Sequence, residues 1–211
     1  MTTSAAAPPI IAAFDFDGTL TRRDTLLPFL AKGLGWVQFG WLMFRSAPWL
    51  LAFALRLLPN HVAKAKLLRN AFAGRSVVEV DRWTVRWLPG LASQWRPDAL
   101  AQLIAHQRAG HLCVMVSASP DVYLKQAAQS LGFDALLCTE MAVCQGVLSG
   151  EMRTPNCHGE QKSLRLLQWL VGQGLSLECI SLHAYGDTPG DHPMLRLANR
   201  ACYRGKTWSG N

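Results

Sequence analysis

The chain has 211 residues, half of them hydrophobic and 17% charged, which suits one domain of ordinary size or a compact core carrying a modest insertion. Two large enzymatic domains and global disorder are both excluded. Lys and Arg number 21 against 14 Asp and Glu, a formal net charge of +7 that suggests an anionic partner without naming it. Six cysteines (Cys113, Cys138, Cys144, Cys157, Cys179 and Cys202) form no C-x-x-C pair and are read as reduced core thiols. Cys157 and His158 are adjacent, yet no second Cys and His pair at ligand spacing joins them, which argues against zinc. Met1 to Pro9 lacks the basic start and apolar stretch of a secretory signal, so a cytoplasmic location is expected.

Ile10 to Phe14 is a short apolar run of strand formers closed by Asp15, Asp17 and Gly18, the pattern of a buried strand ending in a tight loop. Leu112 to Val116 repeats it, followed by the polar tip Ser117-Ala118-Ser119-Pro120 and a helical stretch from Asp121 to Leu131. Ala135 to Cys138 predicts another strand, Thr139 to Gly150 a small hairpin around Gly146, Glu160 to Val171 a helix, and Cys179 to Tyr185 a late strand. The alternation favours an α/β core with a parallel sheet and helices on its faces. Ligands of such sheets bind at the carboxyl ends of strands, where Asp15, Ser117 and Asp187 fall.

Between the first two strands lies a segment with helical periodicity and no convincing strand. It is read as an inserted helical domain over residues 22–97, leaving residues 1–21 and 98–211 as the core. From Arg22 through Arg108 there are 13 basic and 4 acidic residues, net +9; the rest has 8 basic and 10 acidic, net −2. Residues 34–58 form the most apolar stretch, with Trp36, Trp41, Phe44, Trp49, Leu51 and Phe53 among its large side chains. A full membrane span is disfavoured, because Arg45 lies near the middle and Pro48 divides the stretch into two pieces of about ten residues where about 20 are needed. Two short helices lying in or dipping into a membrane interface are expected instead, with Arg45, Arg56, Lys64, Lys66 and Arg69 facing anionic lipid. The competing expectation is that these aromatics build the core of the insertion itself.

Asp15-Phe16-Asp17-Gly18-Thr19 sets two carboxylates just beyond a buried strand, where both can turn toward one pocket. Clustered carboxylates repel unless a cation neutralises them, and their hard oxygens suit Mg²⁺. Ser117 can offer a hydroxyl and nearby amides to an oxyanion, and Lys162, at the start of a helix, a fixed positive charge. Gly186-Asp187-Thr188-Pro189-Gly190-Asp191 adds two further carboxylates beyond a late strand.

This ordered set resembles the haloacid dehalogenase superfamily of phosphotransferases, whose pattern is D-x-D-G-T, a strand ending in Ser or Thr, a Lys, and a G-D-x-x-x-D loop. A helical insertion directly after the first motif resembles its phosphoserine-phosphatase-like branch. Val116 to Pro120, Asn156 to Lys162 and Ala184 to Asp187 look most like the membrane-associated group that includes phosphatidylglycerophosphatase C. The resemblance implies a Rossmann-like core with a helical cap and an Mg²⁺-dependent phosphomonoester hydrolase. Asp15 would be the nucleophile, forming an aspartyl phosphate, and Asp17 the acid and base. Ser117 and Lys162 would bind the phosphoryl oxygens. The metal would lie among Asp15, Asp17 (through its backbone carbonyl), Asp187 and Asp191, the last either a ligand through water or a partner orienting Lys162.

Two positions depart from or bear on that pattern. Phosphoserine phosphatases usually carry Asn just before the second Asp of the last motif, where Gly190 stands here, which weakens a small-substrate expectation. Asp24 matches an acidic position that helps recognise substrate in those enzymes, but it can equally cap the first cap helix, the use favoured here. The leading expectation is a phosphatase at the cytoplasmic face of the membrane, peripheral or monotopic, acting on a lipid-linked phosphate such as phosphatidylglycerophosphate. The alternatives are a soluble phosphatase for phosphoserine or another small metabolite and a catalytically silent membrane-associated interaction module. Nucleic-acid binding ranks last, because the basic residues flank apolar stretches rather than a stacking platform.

Overall fold

The computed structural model describes residues 8–210, so the reading of a missing secretory signal lies, for residues 1–7, outside them. A central sheet has the order β3-β2-β1-β6-β7-β8, built from β1 (Ile10–Phe14), β2 (Leu112–Pro120), β3 (Ala135–Thr139), β6 (Ser181–Gly186), β7 (Arg200–Tyr203) and β8 (Lys206–Trp208). All neighbours are parallel except β7 and β8. β1 is the middle strand, paired with β2 and β6, and its side chains alternate between two cores. Ala12 and Phe14 face one core with α5 (Pro97–Arg108) and α6 (Asp121–Ser130). Ile11 and Ala13 face the other with α7 (Glu160–Gly172) and α8 (His192–Arg196). Burial on both faces explains why β1 reads as a continuous apolar run. The carboxyl ends of β1, β2 and β6 therefore lie side by side, with Asp15 and Asp187 just beyond theirs and Ser117 inside β2, where its register with β3 shifts before Pro120.

Four helices interrupt this core after β1: α1 (Leu26–Leu34), α2 (Trp36–Ala54), α3 (Asn60–Phe72) and α4 (Val77–Leu91). The chain leaves and re-enters side by side. Arg22 N donates to Gln94 O at 2.7 Å and Arg96 N to Leu20 O at 2.9 Å. Ser76 caps α4 by accepting from Glu79 N at 3.1 Å, as a Ser ahead of an acidic first turn should. The helices bury Phe29, Leu68, Phe72, Trp83 and Trp87. These, rather than the aromatics of residues 34–58, form their interior.

Two expectations about that apolar stretch need correction. Pro48 does not divide it: α2 runs unbroken from Trp36 to Ala54. A proline inside a helix removes one backbone hydrogen bond, and α2 is held across it by packing along α3, where Asn70 Nδ2 donates to the buried Ser46 Oγ at 3.1 Å. Only Leu42 and Ser46 of α2 are buried, whereas Trp36 is 82% exposed and Trp41, Phe44 and Leu51 are exposed as well. Among the described residues no helix is long and apolar enough to cross a membrane. Nor do all five basic residues assigned to lipid face outward: Lys64 turns inward to Ala118 O at 2.7 Å.

The hairpin forms as β4 (Met141–Cys144) and β5 (Val147–Met152), turned by Gln145 and Gly146, both at positive φ as a two-residue hairpin turn requires. It docks on the inserted helices rather than on the main sheet. Gly74 N donates to Leu148 O, Leu148 N to Arg75 O and Val77 N to Gly146 O, at 2.8 to 2.9 Å. A segment from the far half of the sequence thus joins the helical layer. Of the cysteines, Cys113, Cys138 and Cys157 are buried thiols, but Cys144 and Cys179 are exposed, against the expectation of core positions for all six.

At the end of α5, His106 is buried, with Nε2 2.8 Å from the Tyr185 hydroxyl and Nδ1 2.8 Å from His111 Nδ1. Burial, then His183 and His111, lowers its pKa to about 4. The unfolded chain, with an ordinary histidine near 6.5, takes up this proton first on acidification. The contribution is therefore fully present above about pH 6.5 and is lost as the pH falls toward 4. Between pH 7.5 and 4.5 the loss is about 2 kcal/mol. His106→Gln should flatten the pH dependence of urea unfolding over that window by this amount. An unchanged slope would contradict it.

Candidate active site

The loop after β1 is shaped by Gly18, at φ +84°, where a Cβ would sit 2.2 Å from Asp187 Oδ2. Only glycine allows the first and last carboxylate loops to touch. Thr19 then bridges them, its hydroxyl lying 3.2 Å from Asp15 Oδ2 and 3.0 Å from Asp187 Oδ1. Lys162, in the first turn of α7, is 2% exposed and sits 2.5 Å from both Asp15 Oδ1 and Asp191 Oδ1. The other oxygen of Asp191 accepts from Asp187 N, Thr188 N and the Thr188 hydroxyl. Asp191, fully buried, thus has both oxygens engaged and fixes Lys162 in place.

The electrostatics follow from this crowding. Burial raises the Asp15 pKa well above the usual carboxylate value, against the lowering pull of Lys162. Burial also raises Asp187. Asp191 is lowered, its burial outweighed by Lys162 and the bonds from Thr188. Asp15, Asp187 and Asp191 each bring a carboxylate oxygen within 4.8 Å of the others. Three carboxylates against one ammonium leave net negative charge in a low-dielectric pocket, and a hard divalent cation of the Mg²⁺ type fits that donor set.

Asp17 turns away from this cluster. Its Oδ1 accepts from Thr25 N at 2.8 Å and from the Thr25 hydroxyl at 2.6 Å, and its Oδ2 from the Ser119 hydroxyl at 2.5 Å. Burial, then the charge of Asp24, raises its pKa to about 6. Its side chain therefore stands apart from the carboxylates that could hold a cation. Ser117, 1% exposed, accepts from Ser119 N at 3.1 Å. Asp24 accepts from Leu26 N at 3.0 Å, tying down the start of α1 while lining the same cavity.

That cavity, of about 850 Å³, reaches from Asp15, Asp17, Ser117 and Lys162 to a wall of Leu27, Pro28, Leu50 and Phe53. Sequence reasoning missed several of its parts. Lys64 of α3 lines it and donates to Ala118 O at 2.7 Å; burial, the largest cause, lowers its pKa. His158 fills the space beside Gly190, where a Cβ would lie 2.3 Å from its Nε2. The place beside Gly190 is thus taken by a histidine arriving from another loop. Thr19, Thr25 and Ser119 stood in or beside the motifs, but nothing in their spacing revealed which carboxylates they bind.

Residues 12–196 match the family described as haloacid dehalogenase-like hydrolase. The chain belongs to that family. It is 34% identical over 208 residues to the protein CicA of Caulobacter vibrioides (strain NA1000 / CB15N), covering 97% of this chain and 90% of that one. A probable phosphatase of Mycobacterium tuberculosis (strain H37Rv) is 28% identical over 207 residues, 90% of this chain and 67% of its own. Among solved structures, a substrate-bound phosphoserine phosphatase shares the fold with a TM-score of 0.65 at 16% identity, over 95% of this chain and 87% of that one. The family match and the fold agree on a Rossmann-like α/β hydrolase core.

The buried ion network carries a stability expectation. Asp191→Ala strips the Lys162 ammonium of one partner and leaves the Asp187 and Thr188 amides without an acceptor. Loss of one member of such a buried pair costs about 3 to 5 kcal/mol, readable as a lower urea midpoint at neutral pH. A change below about 1 kcal/mol would contradict the role given to Asp191.

Proposed function

We propose that the protein is an Mg²⁺-dependent phosphatase acting on a phosphomonoester carried by a lipid, phosphatidylglycerophosphate being the first candidate. The residues divide the chemistry as follows. A carboxylate oxygen of Asp15 attacks phosphorus in line; the Asp15–phosphorus bond forms as the bond to the leaving alkoxide breaks, and Asp17 gives that alkoxide a proton. Asp17 then takes a proton from water as the water attacks phosphorus, and the Asp15–phosphorus bond breaks to release inorganic phosphate. A carboxyl held near 6 by burial and Asp24 can serve both turns close to neutral pH.

Ser117 and Lys162 bind the equatorial oxygens, and Asp191 keeps the Lys162 ammonium aimed at them. Asp15 and Asp187, with Asp191 behind them, would hold Mg²⁺, which when bound supplies a positive charge offsetting the repulsion between carboxylate and phosphate. Lys64 extends the positive potential toward the leaving group. Residues 22–97, joined by the β4–β5 hairpin, serve as a cap over these groups.

The lipid half of the proposal rests on one observation: the outer wall of the cavity, Leu50 and Phe53, belongs to α2, the helix whose remaining face exposes Trp36, Trp41, Phe44 and Leu51. A monotopic protein resting that face in the bilayer, with Arg45 and Arg56 near lipid headgroups, would bring a phosphate at headgroup depth to Asp15 without extracting the acyl chains. Exposed apolar surface of this extent marks an interaction site.

In a vesicle assay with Mg²⁺ and Asp15→Asn as the inactive control, kcat/KM for phosphatidylglycerophosphate should exceed that for phosphoserine at least tenfold. Phe53→Asp should cut lipid turnover about tenfold and leave turnover of a soluble aryl phosphate within about twofold. Equal or better turnover of phosphoserine would overturn the lipid assignment.

A further inference from the structure

A second cavity, of about 800 Å³, lies under the open end of the sheet, bounded by α5, β6, β7 and the turn at Arg204 and Gly205. It shares only Gly18 and Asp187 with the cavity of the candidate active site. The two are neighbours back to back across the loops that carry the carboxylates. Among the described residues α5, which packs against β2, is the helix that borders this face.

Its lining is rich in donors and poor in acceptors of charge. Arg96, Arg200 and Arg204 open on it together with His111 and His183. Of its two carboxylates, Asp98 is already committed to Arg96, at 2.9 Å, and Asp187 accepts from the Thr19 hydroxyl at 3.0 Å. Arg200 makes no salt bridge or side-chain hydrogen bond among the described residues, and it stands in register beside His183 on the adjacent strand. Two arginines lacking a carboxylate partner, set beside two imidazoles, form a positive concavity suited to an oxyanion, because guanidinium groups bind phosphate in a fork. The volume suits a small organic molecule rather than a bare ion.

Two of the three arginines, Arg96 and Arg204, touch the catalytic loops from behind. Arg96 Nη1 donates to Gly18 O at 3.3 Å, and Arg204 Nε donates to Asp187 O at 2.8 Å. Gly18 follows Asp17, and Asp187 faces Asp15 through Thr19. An anion bound by the remaining N–H groups of either guanidinium is therefore one hydrogen bond away from a catalytic loop.

We propose that this cavity is a second, noncatalytic binding site for a small soluble phosphate-bearing molecule, gathered by Arg200 with Arg96 and Arg204, whose occupancy is coupled to the catalytic loops through Gly18 O and Asp187 O. The site is independent of what the active site hydrolyses. It differs from the product site in its residues, so both can be followed with one ligand.

Inorganic phosphate titrated into the full chain, followed through backbone amide resonances, tests the assignment. Two sets of shifts should saturate separately: one at Ser119 and Lys162, the other at Arg200, Cys202 and Gly205, with Gly18 and Asp187, which line both cavities, responding in both phases. Arg200→Gln and Arg200→Glu lie at an exposed strand end outside the catalytic machinery. Each should weaken the second set at least tenfold, leave the first unchanged, and keep Mg²⁺-dependent aryl phosphate turnover within twofold when phosphate is absent. Phosphate inhibition of that turnover should change from mixed to competitive in the variants. A single set confined to the active site, or a second set indifferent to both Arg200 variants, would overturn the proposal. Two sets in a chain that turns over no phosphate ester would uphold this site and count only against the phosphatase assignment.

Discussion

The fold of the site depends on burying one ammonium between two carboxylates. Lys162 has left water almost completely, and no ion of that size is tolerated in a protein interior unless opposite charge meets it at contact distance. Asp15 and Asp191 do so from the ends of β1 and from the loop after β6, elements more than 170 residues apart in sequence. The remaining oxygen of Asp191 is spent on the Asp187 and Thr188 amides, so a displacement of Lys162 would disturb the last loop as well. Gly18, packed against Asp187, and Thr19, bonded to both sides, close the ring. Parallel pairing of β1 with both β2 and β6 is what lets so small a set of contacts bring four distant segments together.

The helical insertion is organised by a different balance. Its interior is closed by Phe29, Phe72, Trp83 and Trp87, and the β4–β5 hairpin seals one side through three backbone hydrogen bonds. Once that interior is full, the large apolar side chains of α2 have no place inside and remain on the surface. The helix nevertheless presents Leu50 and Phe53 to the cavity. One element therefore supplies both an exposed apolar face and part of the cavity wall, which is the geometrical basis for proposing a lipid-borne phosphate.

Much of the core was legible in the sequence because its signals are local. Alternation of apolar strands and helices marked a parallel sheet with helices on its faces, and strand ends marked Asp15, Ser117 and Asp187 without any knowledge of packing; the order of the strands came only with the structure. The cap resisted for the opposite reason. Pro48 looked like a break because a single proline carries a local penalty, whereas the contact that holds α2 across it, Asn70 to Ser46, joins two helices. Lys64 resembled the other basic residues of the insertion, and only the path of α3 turns its ammonium onto Ala118 O. His158 was visible as a residue but not as the group occupying the gap beside Gly190. The docking of the hairpin on the helical layer required strand-like bonds to residues 74–77, which have no strand signal of their own.

The chemistry proposed for the pocket built around Lys162 is esterification of the carboxylate at position 15 by phosphorus. It is met most directly by trapping. The protein should be mixed with Mg²⁺ and a rapidly cleaved phosphomonoester, quenched in borohydride, digested and analysed by mass spectrometry. Reduction of an acyl phosphate converts aspartate to homoserine, and the account requires that conversion at residue 15 and at no other aspartate. Turnover of the ester with homoserine at a different position, or with none at all under conditions that trap acyl phosphates, would contradict it.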